Sequence, residues 1–316
     1  MTNNPLVSVC IPAYNAQQYI EAALNSILNQ TYKNIEIIVC NDGSTDETSV
    51  ILKKYSSLGV IVINQENKGQ CSAANAAFKL SSGDYIKFFD ADDILSVNFI
   101  EYQVKKINNK KDAISTAEWG RFYNDDINTF KLNPETVWRD MKPIDWLVES
   151  LWKGPNMMQC GLFLIPRNLL EKSGLWDERL SLINDFDFFI RVILSANDIL
   201  FTKNAKLFYR SGVDNSLSRQ KTRKAYLSAY LSTELGVKRM LEYEYSERVK
   251  KVCSDAFQLW TYNFYPYQLD LYKKSEDWVK QLGGSNYPFQ AGGYTKVLVF
   301  LFGWKITKKM KKVFNR

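Results

Sequence analysis

The sequence predicts an α/β fold, a mostly parallel Rossmann-like sheet with helices on both faces, plus a helical C-terminal subdomain. Three observations predict it. Short apolar, β-branched runs alternate with helix-period segments as far as the DADD string at 90–93, which is the pattern of repeated β-α-β units. Three of those runs end in polar, turn-forming strings. Beyond residue 221 the alternation stops, and long helical patterns rich in Tyr, Leu and Lys continue to 282.

The elements follow in order. VSVCI over 7–11 reads as a buried strand ending at Pro12. Tyr19, Ile20, Ala23, Leu24, Ile27 and Leu28 recur at three- and four-residue steps, which is one face of a helix. IEIIVC over 35–40 is a second strand, stopped by Asn41-Asp42-Gly43-Ser44-Thr45-Asp46. A helix over 48–55, a strand over 60–64, a helix over 72–80 and a strand over 85–89 follow, the last running into Asp90-Ala91-Asp92-Asp93. Crossovers of this kind make neighbouring strands parallel, and ligands bind beyond their carboxyl ends. The strings at 12–15, 41–46 and 90–93 all stand there, on one edge of the sheet. Residues 113–138 read as aromatic, strand-like pieces with turns. A helix over 144–152, a strand over 161–165, helices over 168–173 and 186–195, and a strand over 205–210 complete this part. The expected organisation is one unit over 1–218 and a helical one over 219–316.

Composition excludes several classes of chemistry. With 316 residues, 46% of them apolar and 24% charged, the chain can bury a substantial core, and disorder is ruled out as its dominant state. It has no histidine, so imidazole bases, His-based zinc sites and Ser-His-Asp systems are excluded. A general base must be a carboxylate, Lys, Tyr or Cys. Five scattered cysteines without a C-x-x-C pair argue against a disulfide framework and for a reducing cytoplasm. No secretory signal is expected, and no run approaches the roughly 18 apolar residues of a spanning helix. After Asp277 there are eight bases and no acid, which leaves 33 of the 41 bases against 34 acids elsewhere. The net charge of +7 therefore belongs to the tail, and a nucleic-acid-binding core is not expected.

Two carboxylates at 90 and 92 of an extended segment point the same way, because strand side chains repeat every two residues. The negative charge concentrated there calls for a cation or strong donors, and hard oxygen ligands suit Mg²⁺ or Mn²⁺ bridging to a diphosphate. The alternative is a solvated acidic turn with Asp93 capping a helix. Asp42 stands at another strand end, where a base or ribose would lie, or simply in an Asp-Gly-Ser turn.

These residues carry a resemblance. VSVCIPAYNAQQYI, SILNQTYKNIEIIVCNDGSTDET, NKGQCSAANAAF and SGDYIKFFDADDIL, in this order, resemble the N-terminal half of a family 2 glycosyltransferase of the GT-A fold. A second block, GLWDERL over 174–180 and NDFDFFIR over 184–191, resembles the family's acceptor-side motif. The resemblance implies an inverting, metal-dependent transfer from a nucleotide-sugar donor to a glycan or lipid-linked acceptor, in polysaccharide or cell-surface glycan synthesis. It places the donor-binding and catalytic machinery in 1–218. Pro12, Ala13, Tyr14, Asn15, Asp42, Asn67, Gly69, Asn75, Asp90 and Ala91 fall to the nucleotide sugar, with Arg210 or Ser216 available to its phosphates. Asp92 and Asp90 fall to the divalent cation, Mn²⁺ or Mg²⁺. Asp185 falls to the catalytic base, ionised at an ordinary carboxylate pKa, with Trp176 and Asn184 on the acceptor side.

Three positions depart from the family pattern: Asn184 replaces a usual Glu, Ala74 a frequent Arg, and the YRSGVDNSLS segment lacks a His. A non-catalytic nucleotide-sugar-binding or scaffolding relative is the alternative they leave. Asp185 and Asp187 also fit as helix N-terminal acids, and the tryptophans of the middle segment fit as core. In the tail, Ile306, Met310, Val313 and Phe314 gather on one helical face and Lys305, Lys308, Lys309 and Lys312 on the other. That pattern suits peripheral contact with the inner face of an anionic membrane, or a packed helix with a solvated lysine face.

Overall fold

The computed structural model describes residues 4–152, 158–212 and 220–314. The apolar runs form the expected strands β1 (Val7–Ala13), β2 (Ile35–Asp42), β3 (Ile61–Gln65) and β4 (Tyr85–Phe88). Between them lie α1 (Ile20–Leu28), α2 (Thr48–Ser56) and α3 (Gln70–Leu80). These four strands are mutually parallel in the order β3-β2-β1-β4. Ala13 lies beside Asn41, Asp42 beside Gln65, and Cys10 beside Phe88. Their carboxyl ends therefore form one edge, as the polar strings require.

A second sheet was not legible as a sheet. β5 (Ile94–Leu95), β6 (Ala113–Tyr123), β7 (Asp126–Leu132) and β9 (Asp198–Ser211) pair in the order β5-β9-β6-β7, and α4 (Phe99–Ile107) packs against β6 and β9. The expected strand over 205–210 is thus the end of a longer one. The longer strand passes through Asn204, which is left-handed (φ 67°), with a register shift against β6 between Ala117 and Glu118, which is how a bulge is absorbed.

The expected strand over 161–165 is mostly absent. A single 3-10 turn, Cys160–Leu162, leads to β8 (Ile165–Pro166), antiparallel to β4. Buried side chains take the carbonyls that a strand would offer its neighbour. Lys87 Nζ donates to Gly161 O (2.8 Å) and Phe163 O (3.1 Å), and Gln103 Nε2 to Leu162 O (2.7 Å).

The helices α5 (Pro143–Leu151), α6 (Arg167–Ser173) and α7 (Asn184–Leu194) follow the periodicity closely. The helical region is α8 (Arg223–Tyr243), α9 (Glu247–Phe264) and α10 (Leu269–Gln281), with Thr222 and Ser246 capping the first two through their hydroxyls. The expected boundary at 218/219 lies outside the described residues. One core runs from Val7 and Val9 to Val237, Met240 and Phe257, so the helical region is packed into the α/β body rather than appended to it.

The last helix, α11 (Tyr294–Phe314), is kinked at Gly303 (φ 74°, ψ 160°). Its orientation corrects the expected lysine face. Trp304 packs on Tyr262 and Tyr265 (centroids 4.9 and 5.4 Å), Thr307 is buried, and Lys308 donates to the carbonyls of Tyr262 and Tyr265. The long lysine stem reaches free carbonyls that no apolar side chain can satisfy. Ile306 and Val313 face outward instead; the Phe314 side chain lies outside the described part.

Candidate active site at the carboxyl edge of the sheet

The chain leaves β4 and turns at once: the Asp93 amide donates to Asp90 O at 3.4 Å, and residues 91–92 form the turn. Asp90 and Asp92 therefore come together in a turn and not by strand alternation, which corrects the geometric argument while keeping both carboxylates at the strand end. Asp93 caps no helix. It is buried, and its Oδ1 accepts the backbone N–H of Arg210 at 2.9 Å. Its Oδ2 has no partner among the described residues.

Arg210 lies beneath this turn. Its Nε donates to Asp92 O (2.7 Å), its Nη1 pairs with Asp125, and its guanidinium sits 4.6 Å from the ring centroids of both Tyr19 and Phe122. At 4% exposure it braces the acidic turn from within. Ser216 lies outside the described residues.

Burial raises all three carboxylates of this turn. For Asp92, pushed up to about 7, the negative charge of Asp90 adds to burial. Asp93 is raised well above the ordinary range by burial and then by Asp92 and Asp90. Asp90 is raised chiefly by burial, the Asp185 charge adding and hydrogen bonds from Cys160 and Gln70 opposing. Like charges gathered in a low-dielectric site resist ionisation together. The donors are hard oxygens with a free carboxylate oxygen among them, which fits a Mg²⁺- or Mn²⁺-like ion. Among the described residues no group of three or more ligating side chains stands ready to hold a metal, so the fit is to an ion that takes one or two carboxylates and fills its shell from phosphate and water.

The second carboxylate comes from α7. Asp185 is half-buried at the helix start and accepts the Phe186 N–H at 3.0 Å. Burial pushes its pKa up to about 6, which corrects the expectation of an ordinary value. The turn before it is strained, with Ile183 left-handed at φ 52°, costly for a β-branched residue. Helix α8 holds it there. Ser232 Oγ donates to Ile183 O (2.6 Å) and accepts Asp187 N–H (3.2 Å), while Ser228 Oγ donates to Leu182 O (3.0 Å). Gly236 permits the approach, since a Cβ there would stand 2.8 Å from atoms of Phe186 and Ile190.

A side-chain relay joins the two turns. Gln70, first residue of α3, donates from Nε2 to Asp90 Oδ1 (3.1 Å), and Asn184 Nδ2 donates to Gln70 Oε1 (3.4 Å) and Cys71 Sγ (3.1 Å). Asn184 is thus turned toward α3. Gln70 was missed by sequence reasoning, although it stands inside the NKGQCSAANAAF string that opens α3.

Other expected residues shape the edge. Tyr14 is 51% exposed, Pro12 half-buried and Ala13 buried. Asn15 Oδ1 accepts Thr45 N–H (2.8 Å), tying two strand ends together. Asp42 is buried, with its oxygens accepting Gln65 Nε2 (2.7 Å), Lys68 N–H (2.8 Å) and Gly69 N–H (2.8 Å), so it organises the 65–69 loop. Asn67 is exposed on that loop and Ala91 is half-buried in the acidic turn.

Two of the expected residues are held in the interior. Asn75 is buried, bonded to both backbone groups of Trp176 (2.9 and 3.1 Å) and to Glu178 Oε1 (3.0 Å), so it braces that segment. Trp176 is core, its ring stacked 3.8 Å from Phe188. Asp187 is likewise structural, paired with Arg191 at 2.8 Å. An open groove of about 1060 Å³, lined by Arg139, Glu149, Trp152 and Arg248 among others, lies away from these strand ends. It includes Met141, which pairs with Ile199 near the opposite end of β9 from Arg210.

Comparison with known proteins shows the family and the fold. The family model described as glycosyl transferase family 2 matches residues 8–173. An uncharacterized glycosyltransferase of Rickettsia prowazekii is 36% identical over 193 residues, 60% of this chain and 58% of that protein. One of Methanocaldococcus jannaschii is 32% identical over 241 residues, 73% of this chain and 80% of that protein. The chain spans 58% and 60% of the two Rickettsia relatives from R. prowazekii and R. typhi. S. aureus TarS 1–349, solved in complex with UDP-GlcNAc, superimposes with a TM-score of 0.64 at 18% identity, over 90% of this chain and 94% of that one. That likeness shows the fold, which is GT-A.

Proposed function

This chain belongs to glycosyl transferase family 2, and we propose that it moves a sugar from a nucleoside-diphosphate donor to an acceptor hydroxyl with inversion at the anomeric carbon. The relay Asp90–Gln70–Asn184 supports this reading, because it ties the acidic turn of β4 to the turn that presents Asp185. Donor side and acceptor side then face each other, as an in-line displacement needs.

In the step, the acceptor oxygen bonds to the anomeric carbon while the bond from that carbon to the diphosphate oxygen breaks. The electron pair leaves with the nucleoside diphosphate, and the hydroxyl proton passes to Asp185. With its pKa raised to about 6, Asp185 is ionised at neutral pH and is a stronger base than an exposed carboxylate. Asp92, with Asp90, would hold Mn²⁺ or Mg²⁺, which when bound neutralises charge on the departing diphosphate. Tyr14 and the loops at 42–46 and 65–69, held by Asn15 and Asp42, border the donor nucleotide. The acceptor is a glycan or a lipid-linked acceptor in polysaccharide or cell-surface glycan synthesis. The five unpaired, buried cysteines suit a cytoplasmic setting.

Donor turnover over a panel of nucleotide sugars, with Mn²⁺ or Mg²⁺ against chelator, tests the reading. Cation-dependent transfer, lost in both Asp92→Ala and Asp185→Ala, is expected. Full activity in either variant contradicts the assigned roles. Nucleotide binding without turnover across the panel favours the non-catalytic relative, a reading to which Asn184, turned toward Cys71, lends support.

A further inference from the structure

We propose that α11 is a docking surface for an anionic lipid bilayer, lying along the headgroups rather than crossing them. Its first stretch, residues 294–302, holds six consecutive apolar residues, VLVFLF, and not one residue of the stretch is buried. Phe300 is 88% exposed and Leu301 61%. A dense apolar run with Val297, Phe300, Leu301 and Phe302 exposed is a contact surface, since ordinary protein surface disperses such groups.

Past the kink at Gly303 the helix fixes itself to the body through Trp304, Thr307 and Lys308. That docking sets the outward face. Ile306 and Val313 are 51% and 69% exposed, and Lys309 and Lys311 are exposed in the same stretch. Lys308 is excluded from the contact, being tied to backbone carbonyls of α9 and its end.

Charge selects the occupant. The chain after Asp277 holds bases and no acid, so a symmetric contact between two copies of α11 sets lysine against lysine with no carboxylate on the segment to pair them. An anionic headgroup layer matches the lysines, and the acyl boundary beneath it takes Phe300, Leu301 and Ile306. No described helix is long and apolar enough to cross a membrane, which leaves in-plane binding as the mode. The proposal is independent of the donor chemistry.

The test is flotation of the full chain with vesicles of phosphatidylcholine alone and of phosphatidylcholine and phosphatidylglycerol at about 7 to 3. The chain should float with the anionic vesicles, less so at high salt, and remain below with the neutral ones. Phe300→Ser with Leu301→Ser, both exposed, should cut the bound fraction at least about tenfold with circular dichroism and nucleotide binding unchanged, and Lys309→Glu with Lys311→Glu should do the same. Equal flotation of wild type and the Ser variant overturns the proposal. So does a concentration-dependent dimer that the Ser variant loses while neither protein floats.

Discussion

The acidic turn after β4 and the turn before α7 are joined through Gln70 and Asn184, yet they are built and charged in different ways. In the first, Asp90, Asp92 and Asp93 crowd together, and mutual repulsion adds to burial in raising Asp92 and Asp93. In the second, Asp185 is raised by burial, opposed only by backbone hydrogen bonds. The first is braced from below by a buried Arg210, the second by serines of α8 acting on a strained Ile183. The difference teaches a division of labour: crowded carboxylates suit a cation, and a single desolvated one suits a proton.

The strongest way to break the comparison is at the two carboxylates. Asp185→Asn should lower kcat by roughly 10² to 10⁴ while donor binding persists, whereas Asp92→Asn should remove cation-dependent donor binding as well. Initial rates paired with calorimetry separate the two. Next in size is Arg210→Ala, which takes the buried cation from beneath the acidic turn and should destabilise the fold by about 3 kcal/mol or more in urea titration. A loss near zero would mean that the brace is idle.

The pH dependence sharpens the contrast. A base must be ionised, so kcat/KM should fall about tenfold per unit as pH drops below about 6. Stability has the opposite sign. Asp92 and Asp185 have folded pKa values above the ordinary 3.8, so the fold binds more protons than the unfolded chain. Cation-free protein should therefore lose thermal stability as pH rises from the ordinary range through about 7, and Mn²⁺ should restore it. The smallest effect is expected from Ser232→Ala, about 1 to 3 kcal/mol for the groups it leaves unpaired, with kcat reduced more than the donor KM because only the second turn is loosened.

Legibility followed the range of the interactions. The parallel strands, their helices and the edge that carries Asp42, Asp90 and Asp92 were readable, because period and turn chemistry are local. The second sheet was not, since β6 and β9 pair across a bulge that breaks the pattern at Asn204. Gln70, Ser228 and Ser232 were missed, and the bracing and packing of Asn75, Trp176 and Arg210 were not foreseen, for one reason. Each acts through a contact with residues far away in sequence, and no spacing records such a contact.

The most direct test is calorimetric titration of a panel of nucleoside diphosphates with Mn²⁺ into the wild type, Asp92→Asn and Asp185→Asn. The division of labour predicts that Asp185→Asn binds its nucleotide as the wild type does and that Asp92→Asn loses the Mn²⁺-dependent part. Retained binding in Asp92→Asn, or its loss in Asp185→Asn, would contradict it.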